Sequence, residues 1–340
     1  MFQSTVNAVG WVLGDPGSAD VDERLVEVAE AAGALLPNDV DEALRRFAVA
    51  PDRSGALLIR GVPIGELPPT PATPTAPTDK DLATELALLT IARHLGEPVG
   101  YVPEHGGRIV QNIVPTATDA DRQTSTSSRS NLMFHTETAF HPYRPRYLLL
   151  LCLRGDPTAH TTLVSIHDLL DHLPPDTVDV MFEPRFRTAV DASFLDGREN
   201  VLGPCRPLIT GTRTQPTFIF DADLTVGTDD EADAVLAAVR AAIDEIQSGV
   251  VLEPGDLLTT WPSTDGHRSP PASTALTAGS SAPSRPPRAR GRGSIVGAKR
   301  SYRALGAVSL RRAATGSQTT VRPSFGGTLR RGQRHRRLQG

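Results

Sequence analysis

Hydrophobic residues recur at spacings of three and four along several parts of the chain, which is the pattern of helices with one buried face. The longest such parts are residues 19–50 and residues 80–95. The same spacing predicts three later helices, at residues 166–173, 177–182 and 229–247. Because each helix has a polar face and an apolar face, we expect them to cover a sheet.

Short apolar segments bounded by Gly, Pro and polar residues predict strands between these helices. The most apolar is residues 147–153, Tyr-Leu-Leu-Leu-Leu-Cys-Leu, which we expect to be a core strand. The other predicted strands are residues 54–61, 108–114, 161–165 and 217–221, and residues 250–258 are predicted to form a turn that leads into a strand. Many short strands with a few covering helices predict a mainly β protein with flanking helices, a distorted barrel or jelly roll.

The charge of the chain is divided between its two ends. The formal net charge of the 340 residues is −4, yet from Trp261 onward there are sixteen Lys and Arg against a single acid, Asp265. Such asymmetry is typical of a tail that binds nucleic acid. The tail lacks interleaved aromatic residues and helical periodicity, however, and is rich in Pro, Gly and Ser. This composition predicts disorder, and nucleic acid is not an expected partner.

Cysteine content and hydropathy indicate the compartment. The only two cysteines are Cys152 and Cys205, which argues against a disulfide framework. No stretch reaches about 18 apolar residues, and the first 13 residues lack a basic segment followed by an apolar one. We therefore expect a cytoplasmic protein without a membrane span.

The candidate chemistry is concentrated in residues 131–145, Asn-Leu-Met-Phe-His-Thr-Glu-Thr-Ala-Phe-His-Pro-Tyr-Arg-Pro. His135 and Glu137 lie two apart, so on an extended strand their side chains point to the same face. An imidazole and a carboxylate on one face can bind a single metal ion. A facial triad of two His and one carboxylate on Fe(II) needs a second histidine from far along the chain.

Five segments in order resemble one enzyme family. They are residues 55–61 (Gly-Ala-Leu-Leu-Ile-Arg-Gly), 95–101 (Leu-Gly-Glu-Pro-Val-Gly-Tyr), 134–145, 161–165 (Thr-Thr-Leu-Val-Ser) and 252–258 (Leu-Glu-Pro-Gly-Asp-Leu-Leu). Together they resemble the clavaminate-synthase-like Fe(II)/2-oxoglutarate-dependent oxygenases, most closely the L-asparagine and L-arginine β-hydroxylases. The resemblance implies a double-stranded β-helix, and it assigns residues 1–258 to an oxygenase domain, with a helical part at 1–50 and the β-helix core at 55–258.

The resemblance stops abruptly after Leu258, where the family has a D-N strand, its distal His in V-H-G-R-S-P, and arginines for the two substrate carboxylates. Suppose that each codon is read from the third base of the codon as translated. The codons beginning in Leu258 and Thr259 then permit D-N, and residues 261–268 permit A-V-H-G-R-S-P. Residues 271–282 then permit P-R-F-D-G-x-D-R-W-L-Q-R. We infer that residues 259–340 are an aberrant, out-of-frame tail, so that the last strands and the third ligand are missing. His267 is the alternative third ligand.

The resemblance also assigns residues to the cosubstrate and the substrate. Thr162, or its neighbour Thr161, matches a threonine that hydrogen-bonds 2-oxoglutarate, and an ordinary strand residue is the alternative. The residues at positions that face the amino acid are Glu104, Ser125, Thr126 and Asp221, and each could equally be a solvated loop residue. His141 has no ligand role in the family, and we expect it to be hydrogen-bonded beside the site.

These observations predict an Fe(II)- and 2-oxoglutarate-dependent dioxygenase that hydroxylates a free L-amino acid, asparagine- or arginine-like, at its β-carbon. The setting would be a specialised pathway such as antibiotic biosynthesis, and a carrier protein could present the substrate. Activity of the chain as translated would be impaired, because one ligand and both arginines are absent. The alternative is a non-catalytic remnant or binding protein whose basic tail contacts nucleic acid or a partner.

Overall fold

The computed structural model describes residues 19–33, 36–73, 82–103, 107–121, 127, 132–195, 197–261, 296–300 and 320–321. The helices within this part of the chain are α1 (Ala19–Ala32), α2 (Asn38–Val49), α3 (Ala83–Leu95), α4 (Ile166–His172), α5 (Pro175–Met181) and α6 (Asp230–Ile246). A 3₁₀ turn lies at Ala192–Phe194. No described helix has the length and apolar character that crossing a membrane requires.

The strands of the same residues are short. They are β1 (Ala56–Ile59), β2 (Val110–Ile113), β3 (Leu148–Arg154), β4 (Thr161–Leu163), β5 (Phe186–Thr188), β6 (Ile209–Thr212), β7 (Gln215–Phe218), β8 (Thr225–Gly227), β9 (Ser248–Val250), β10 (Leu257–Thr260), β11 (Val296–Arg300) and β12 (Thr320–Val321). Six of them form one sheet in the order β12-β1-β10-β3-β11-β2. The pairs β1–β10 and β10–β3 are antiparallel, whereas β11 runs parallel to both β3 and β2.

The N-terminal helices cover this sheet, as their hydrophobic pattern predicts. On α2 the residues Val40, Ala43, Leu44 and Phe47 are buried, at the spacing of one helix face. Helix α3 is buried on nearly every side because it lies between the other two helices and the strands. Its leucines join Leu149 and Leu151 of β3 in a single core. Burial of this apolar surface is the main stabilising contribution to this part of the fold.

A second core lies beneath the C-terminal helices. Phe218 and Phe220 stack with their ring centroids 5.5 Å apart, and both side chains are fully buried. Apolar residues of α4, α5 and α6 surround them. The two-stranded sheets β5–β8 and β6–β7 complete this layer. In the third pair, β4–β9, Leu163 and Val250 pack instead with Leu58 and Leu258 of the large sheet. The described residues therefore combine sheet and helix without a closed barrel.

The predicted boundary at residue 258 falls inside a strand. β10 continues to Thr260, and the Trp261 ring packs 5.7 Å from that of Tyr147 and 6.4 Å from that of Phe47. Within the predicted tail, β11 and β12 hydrogen-bond with the sheet. The disorder predicted for the rest of residues 262–340 concerns residues outside the described part of the chain.

Candidate metal centre

The segment that carries the H-x-E motif lies antiparallel to the chain around Asp221. His135 and Asp221 form an isolated β-bridge. On either side of the bridge, the amide of Ala222 donates to the carbonyl of Phe134 at 2.8 Å, and the amide of Thr136 donates to the carbonyl of Phe220 at 2.7 Å. Since Phe220 is fixed in the second core, these bonds tie the motif to a rigid part of the fold.

Thr136 strengthens this connection with its side chain. Its hydroxyl donates to the carbonyl of Phe220 and accepts from the amide of Phe220, both at 3.1 Å. The Thr136 side chain is buried, as a β-branched residue between two strands should be. The residue between the two candidate ligands thus points into the protein and leaves the other face to His135 and Glu137.

His135 has one ring nitrogen engaged and the other available. Its Nδ1 lies 2.8 Å from the carbonyl oxygen of Met133, which can only accept a hydrogen bond. Nδ1 therefore carries the proton, and Nε2 keeps the lone pair that a metal ion requires. A neutral imidazole held in this tautomer by a carbonyl is the usual state of a metal-binding histidine.

Glu137 is the partner carboxylate, and it is crowded by negative charge. Burial raises the pKa of the Glu137 carboxyl above its usual value, and the carboxylates of Asp191 and Asp221 raise it further. A protonated His135 imidazole would act in the opposite direction on the pKa of Glu137, so the two motif side chains are close enough to interact. Burial likewise raises the pKa of Asp221, again opposed by His135. A cation placed here would relieve the repulsion among the three carboxylates.

The chain turns sharply after Glu137. Thr138 has a φ of 49°, in the left-handed region that β-branched residues rarely adopt. Its carbonyl accepts from the amide of His141 at 2.8 Å, which closes the turn. The Thr138 hydroxyl is buried without a hydrogen-bond partner in the described part of the chain. Backbone strain next to a candidate ligand is typical of functional sites.

Aromatic rings flank the site on the side of Asp191. The His141 ring centroid lies 5.0 Å from that of Tyr101 and 6.2 Å from that of Phe194. The Tyr143 amide donates to His141 Nδ1 at 3.1 Å, and burial lowers the pKa of His141. This hydrogen bond confirms the sequence-based expectation for His141. Phe194 ends the 3₁₀ turn that Asp191 caps by accepting from the Ser193 amide, so packing of Phe194 fixes Asp191 near Glu137.

Asp221 is held in a tight turn of its own. One carboxylate oxygen, Oδ1, accepts from the amides of Asp223 and Leu224, both at 2.8 Å. Its amide donates to the Thr225 hydroxyl at 3.2 Å, and its carbonyl accepts from the Thr225 amide at 3.0 Å. This Asx-type turn fixes the Asp221 carboxylate, whose negative charge raises the pKa of Glu137 in the H-x-E motif.

The remaining sequence-predicted residues divide into two groups. Thr162 lies on β4 opposite Gly249 of β9, in a separate two-stranded sheet, and is less buried than Thr161. Glu104, Ser125, Thr126 and His267 are outside the described residues. Among the residues that are described, no set of three or more His, Cys, Asp or Glu side chains could hold a metal ion. His135, Glu137 and Asp221 nevertheless lie close enough to influence one another's charge, and their binding roles stay predictions.

Sequence reasoning missed Asp191 and Thr136. Asp191 carries a weak signal, since an Asp two residues before a Ser is a common capping arrangement, but nothing in the sequence connects it to Glu137. Thr136 lies within the motif, and only the pairing with Phe220 reveals its function.

Comparison with known proteins gives a consistent picture. The family model described as "Taurine catabolism dioxygenase TauD, TfdA family" matches residues 28–260. The L-lysine 3-hydroxylase of Catenulispora acidiphila is 36% identical over 235 residues, which cover 68% of this chain and 66% of that protein.

Two solved structures are similar to the chain over 76% of its length. One is asparagine oxygenase in complex with Fe(II), 2S,3S-3-hydroxyasparagine and succinate, with 30% identity, a TM-score of 0.66 and 82% of that chain covered. The other is the non-heme iron oxygenase OrfP, which in complex with Fe and alpha-ketoglutaric acid shows 30% identity, a TM-score of 0.63 and 81% coverage. OrfP has also been solved with Fe, succinate and (3S)-hydroxy-L-Arg.

Proposed function

Because the chain belongs to the taurine catabolism dioxygenase TauD, TfdA family, whose members are 2-oxoglutarate-dependent dioxygenases, we propose that it hydroxylates a free L-amino acid at the β-carbon. Iron, 2-oxoglutarate and O₂ together would supply the oxidant, with one oxygen atom entering succinate and the other the amino acid, and with loss of CO₂. His135 and Glu137 would hold the iron. The observation that carries this proposal is the His135–Glu137 pair. Among the described residues, Nε2 of His135 has no hydrogen bond, and Glu137 lies among carboxylates.

The charge around the motif supports a cationic substrate. When all three are ionised, the carboxylates of Glu137, Asp191 and Asp221 carry more negative charge than one divalent metal ion neutralises. An amino acid with a basic side chain would compensate the excess, because an unpaired charge in a partly buried site is costly. Lysine and arginine are therefore the favoured substrates, and the lysine hydroxylase named above is consistent with this. Asparagine, with a neutral side chain, is the runner-up.

Glu104, Ser125, Thr126 and Thr162 would complete the amino-acid and 2-oxoglutarate sites, as the family resemblance implies. The family similarity also supports the finer fold, a double-stranded β-helix of which the last strands are missing from this chain. The proposed location is the cytoplasm, and a carrier protein could deliver the substrate.

The third ligand is the point on which activity depends. We propose that the gene encodes it in the neighbouring reading frame after Leu258, so that His267 is not its functional replacement. The family motifs that residues 258–282 permit in that frame, in order and with the spacing of the family, support the proposal. Resequencing the locus tests this, and an unbroken frame in several independent reads would overturn it.

The activity is tested by comparing the 340-residue chain with a version in which the alternative frame is restored after Leu258. Each is incubated with Fe(II), 2-oxoglutarate and, in turn, lysine, arginine, ornithine and asparagine. Mass spectrometry of the products and succinate release are the measurements. We expect the restored protein to hydroxylate a basic amino acid and the 340-residue chain to be at least about 100-fold slower. A restored, folded protein that turns over none of the four would contradict the proposal.

The second candidate function rests on the basic tail, with its sixteen Lys and Arg. A remnant that binds nucleic acid through this tail would be retained on immobilised DNA and released as salt increases. The oxygenase proposal predicts no retention beyond that of a scrambled tail of the same composition.

A further inference from the structure

Arg240 connects helix α6 to the turn that carries Asp221. Its Nε donates to the carbonyl of Ala222 at 3.1 Å, and its Nη2 donates to the carbonyl of Thr225 at 3.2 Å. The two carbonyls lie at the two ends of the turn that follows Asp221. The half-buried guanidinium therefore spans this turn from the side of the helix.

The opposite side of the same turn faces the H-x-E motif. The Ala222 amide donates to the carbonyl of Phe134, and the Asp221 backbone pairs with His135. Ala222 is thus held through both of its backbone polar groups, by Arg240 on one side and by the motif on the other. The peptide groups next to Asp221 have little freedom to shift while both contacts persist.

We propose that Arg240 is a positioning residue, which holds the turn from Asp221 to Thr225 against the motif and so fixes the Asp221 carboxylate beside His135 and Glu137. This inference rests on the proposed function, in which that carboxylate faces the substrate. Arg240 itself contributes no group to the site.

The side-chain chemistry of arginine suits this task. The guanidinium is planar and offers several donors in a fixed fork, so one side chain can satisfy two carbonyls at a set separation. A lysine ammonium is a point donor at the end of a flexible chain and cannot hold both carbonyls in the same geometry. Packing of α6 through Val239 and Ile243 anchors the base of the Arg240 side chain.

Arg154 provides a matched control elsewhere in the fold. It is also half-buried, and its Nη2 donates to two backbone carbonyls, those of Leu67 at 3.0 Å and Pro68 at 2.7 Å. Loss of Arg154 therefore removes the same kind of interaction from a loop that carries no residue of the site.

The test is amide hydrogen exchange of the full 340-residue chain, resolved to single residues, in wild type, Arg240→Ala, Arg240→Lys and Arg154→Ala. We expect Arg240→Ala to lower the protection of the amides of Thr136, Ala222 and Leu224 about tenfold or more while α1 to α3 keep theirs. In Arg240→Lys, the protection of these amides should lie between that of wild type and that of Arg240→Ala. This variant keeps the test valid if the alanine variant does not fold. Arg154→Ala should leave these amides unchanged.

The inference is overturned if protection around Asp221 is unchanged in both Arg240 variants, or if it falls equally throughout the chain. Co(II) binding by the same proteins is monitored through its visible absorption. This measurement distinguishes a failure of the inference about Arg240 from a failure of the proposed function. If wild type binds no Co(II) in either reading frame, the proposed function fails, and the exchange data still decide whether Arg240 holds the turn. If wild type binds Co(II), we expect Arg240→Ala to alter the band positions and Arg154→Ala to leave them unchanged.

Discussion

Thr136 and Phe220 are 84 positions apart in the sequence and share three hydrogen bonds, one between backbone groups and two through the threonine hydroxyl. The hydroxyl serves as donor to the carbonyl and as acceptor for the amide of the same residue. In this position the Thr136 side chain fixes the alignment of the two segments, although these segments are not part of a continuous sheet. It is the contact that keeps the two candidate metal ligands on one face of their segment.

We predict that Thr136→Val, which keeps the shape of the side chain, lowers the free energy of unfolding by about 1–3 kcal/mol, because the Phe220 amide loses a buried acceptor. Urea unfolding measures this. Thr90→Val is the control: the Thr90 hydroxyl is equally buried but only adds a bond to the Leu86 carbonyl within α3. Equal losses in the two variants would contradict the special role of Thr136.

Glu137→Gln should separate stability from metal binding. The substitution removes one of three neighbouring negative charges, so we expect the thermal midpoint of the metal-free protein to stay equal or rise. Co(II) affinity should nevertheless fall by more than about 100-fold, because an amide is a poor metal ligand. Glu27→Gln, on the exposed face of α1, makes the same change in net charge and should alter neither quantity. A lower midpoint together with unchanged Co(II) affinity would count against a metal site.

The local pattern was sufficient to predict most elements that bury one face. The helices of residues 19–50 and 229–247 and the core strand at 147–153 are found close to their predicted ends. Strand β7 overlaps the strand predicted at residues 217–221. Strands β5, β6, β8 and β9 were not predicted, since three or four residues give too little periodicity to distinguish a strand from a loop.

The site was predictable only where its residues are adjacent in sequence. His135 and Glu137 are two apart, and family resemblance added Asp221. Asp191 and Arg240 act through contacts with residues far away along the chain, and their own neighbours in the sequence are ordinary loop and helix residues. Such pairings depend on the tertiary fold, which no local pattern encodes.

Acid stability should depend on Asp229, the residue that begins α6. Its carboxylate accepts from the Ala232 amide and pairs with Arg185, and this pairing lowers the pKa of Asp229 from 3.8 to about 2. Because the folded-state value is the lower one, the stabilisation is present above pH 3.8 and is lost as the pH falls toward about 2.

Asp229→Asn keeps an N-capping oxygen but removes the charge that titrates. We therefore predict that the thermal midpoint of this variant falls less than that of wild type between about pH 4 and about pH 2, the range between the ordinary and the shifted pKa of Asp229. Asp230→Asn removes a charge from the same helix end without breaking the Arg185 pair, so it should follow the wild-type curve. Added salt should reduce the difference, since Asp229 is exposed and Arg185 is partly accessible to solvent.

Gly100 should be intolerant of any side chain, whereas Gly96 nearby should accept one. A Cβ at Gly100 would lie 2.1 Å from the carbonyl oxygen of Gly107 and 2.5 Å from that of Arg108, and both are backbone atoms. A Cβ at Gly96 meets nothing within 4 Å. We predict that Gly100→Ala lowers the unfolding free energy by about 2 kcal/mol or more and Gly96→Ala by less than about 0.5 kcal/mol. Since Tyr101 follows directly and packs on His141, Gly100→Ala should also change tyrosine fluorescence, and equal stability of the two variants would contradict the close approach.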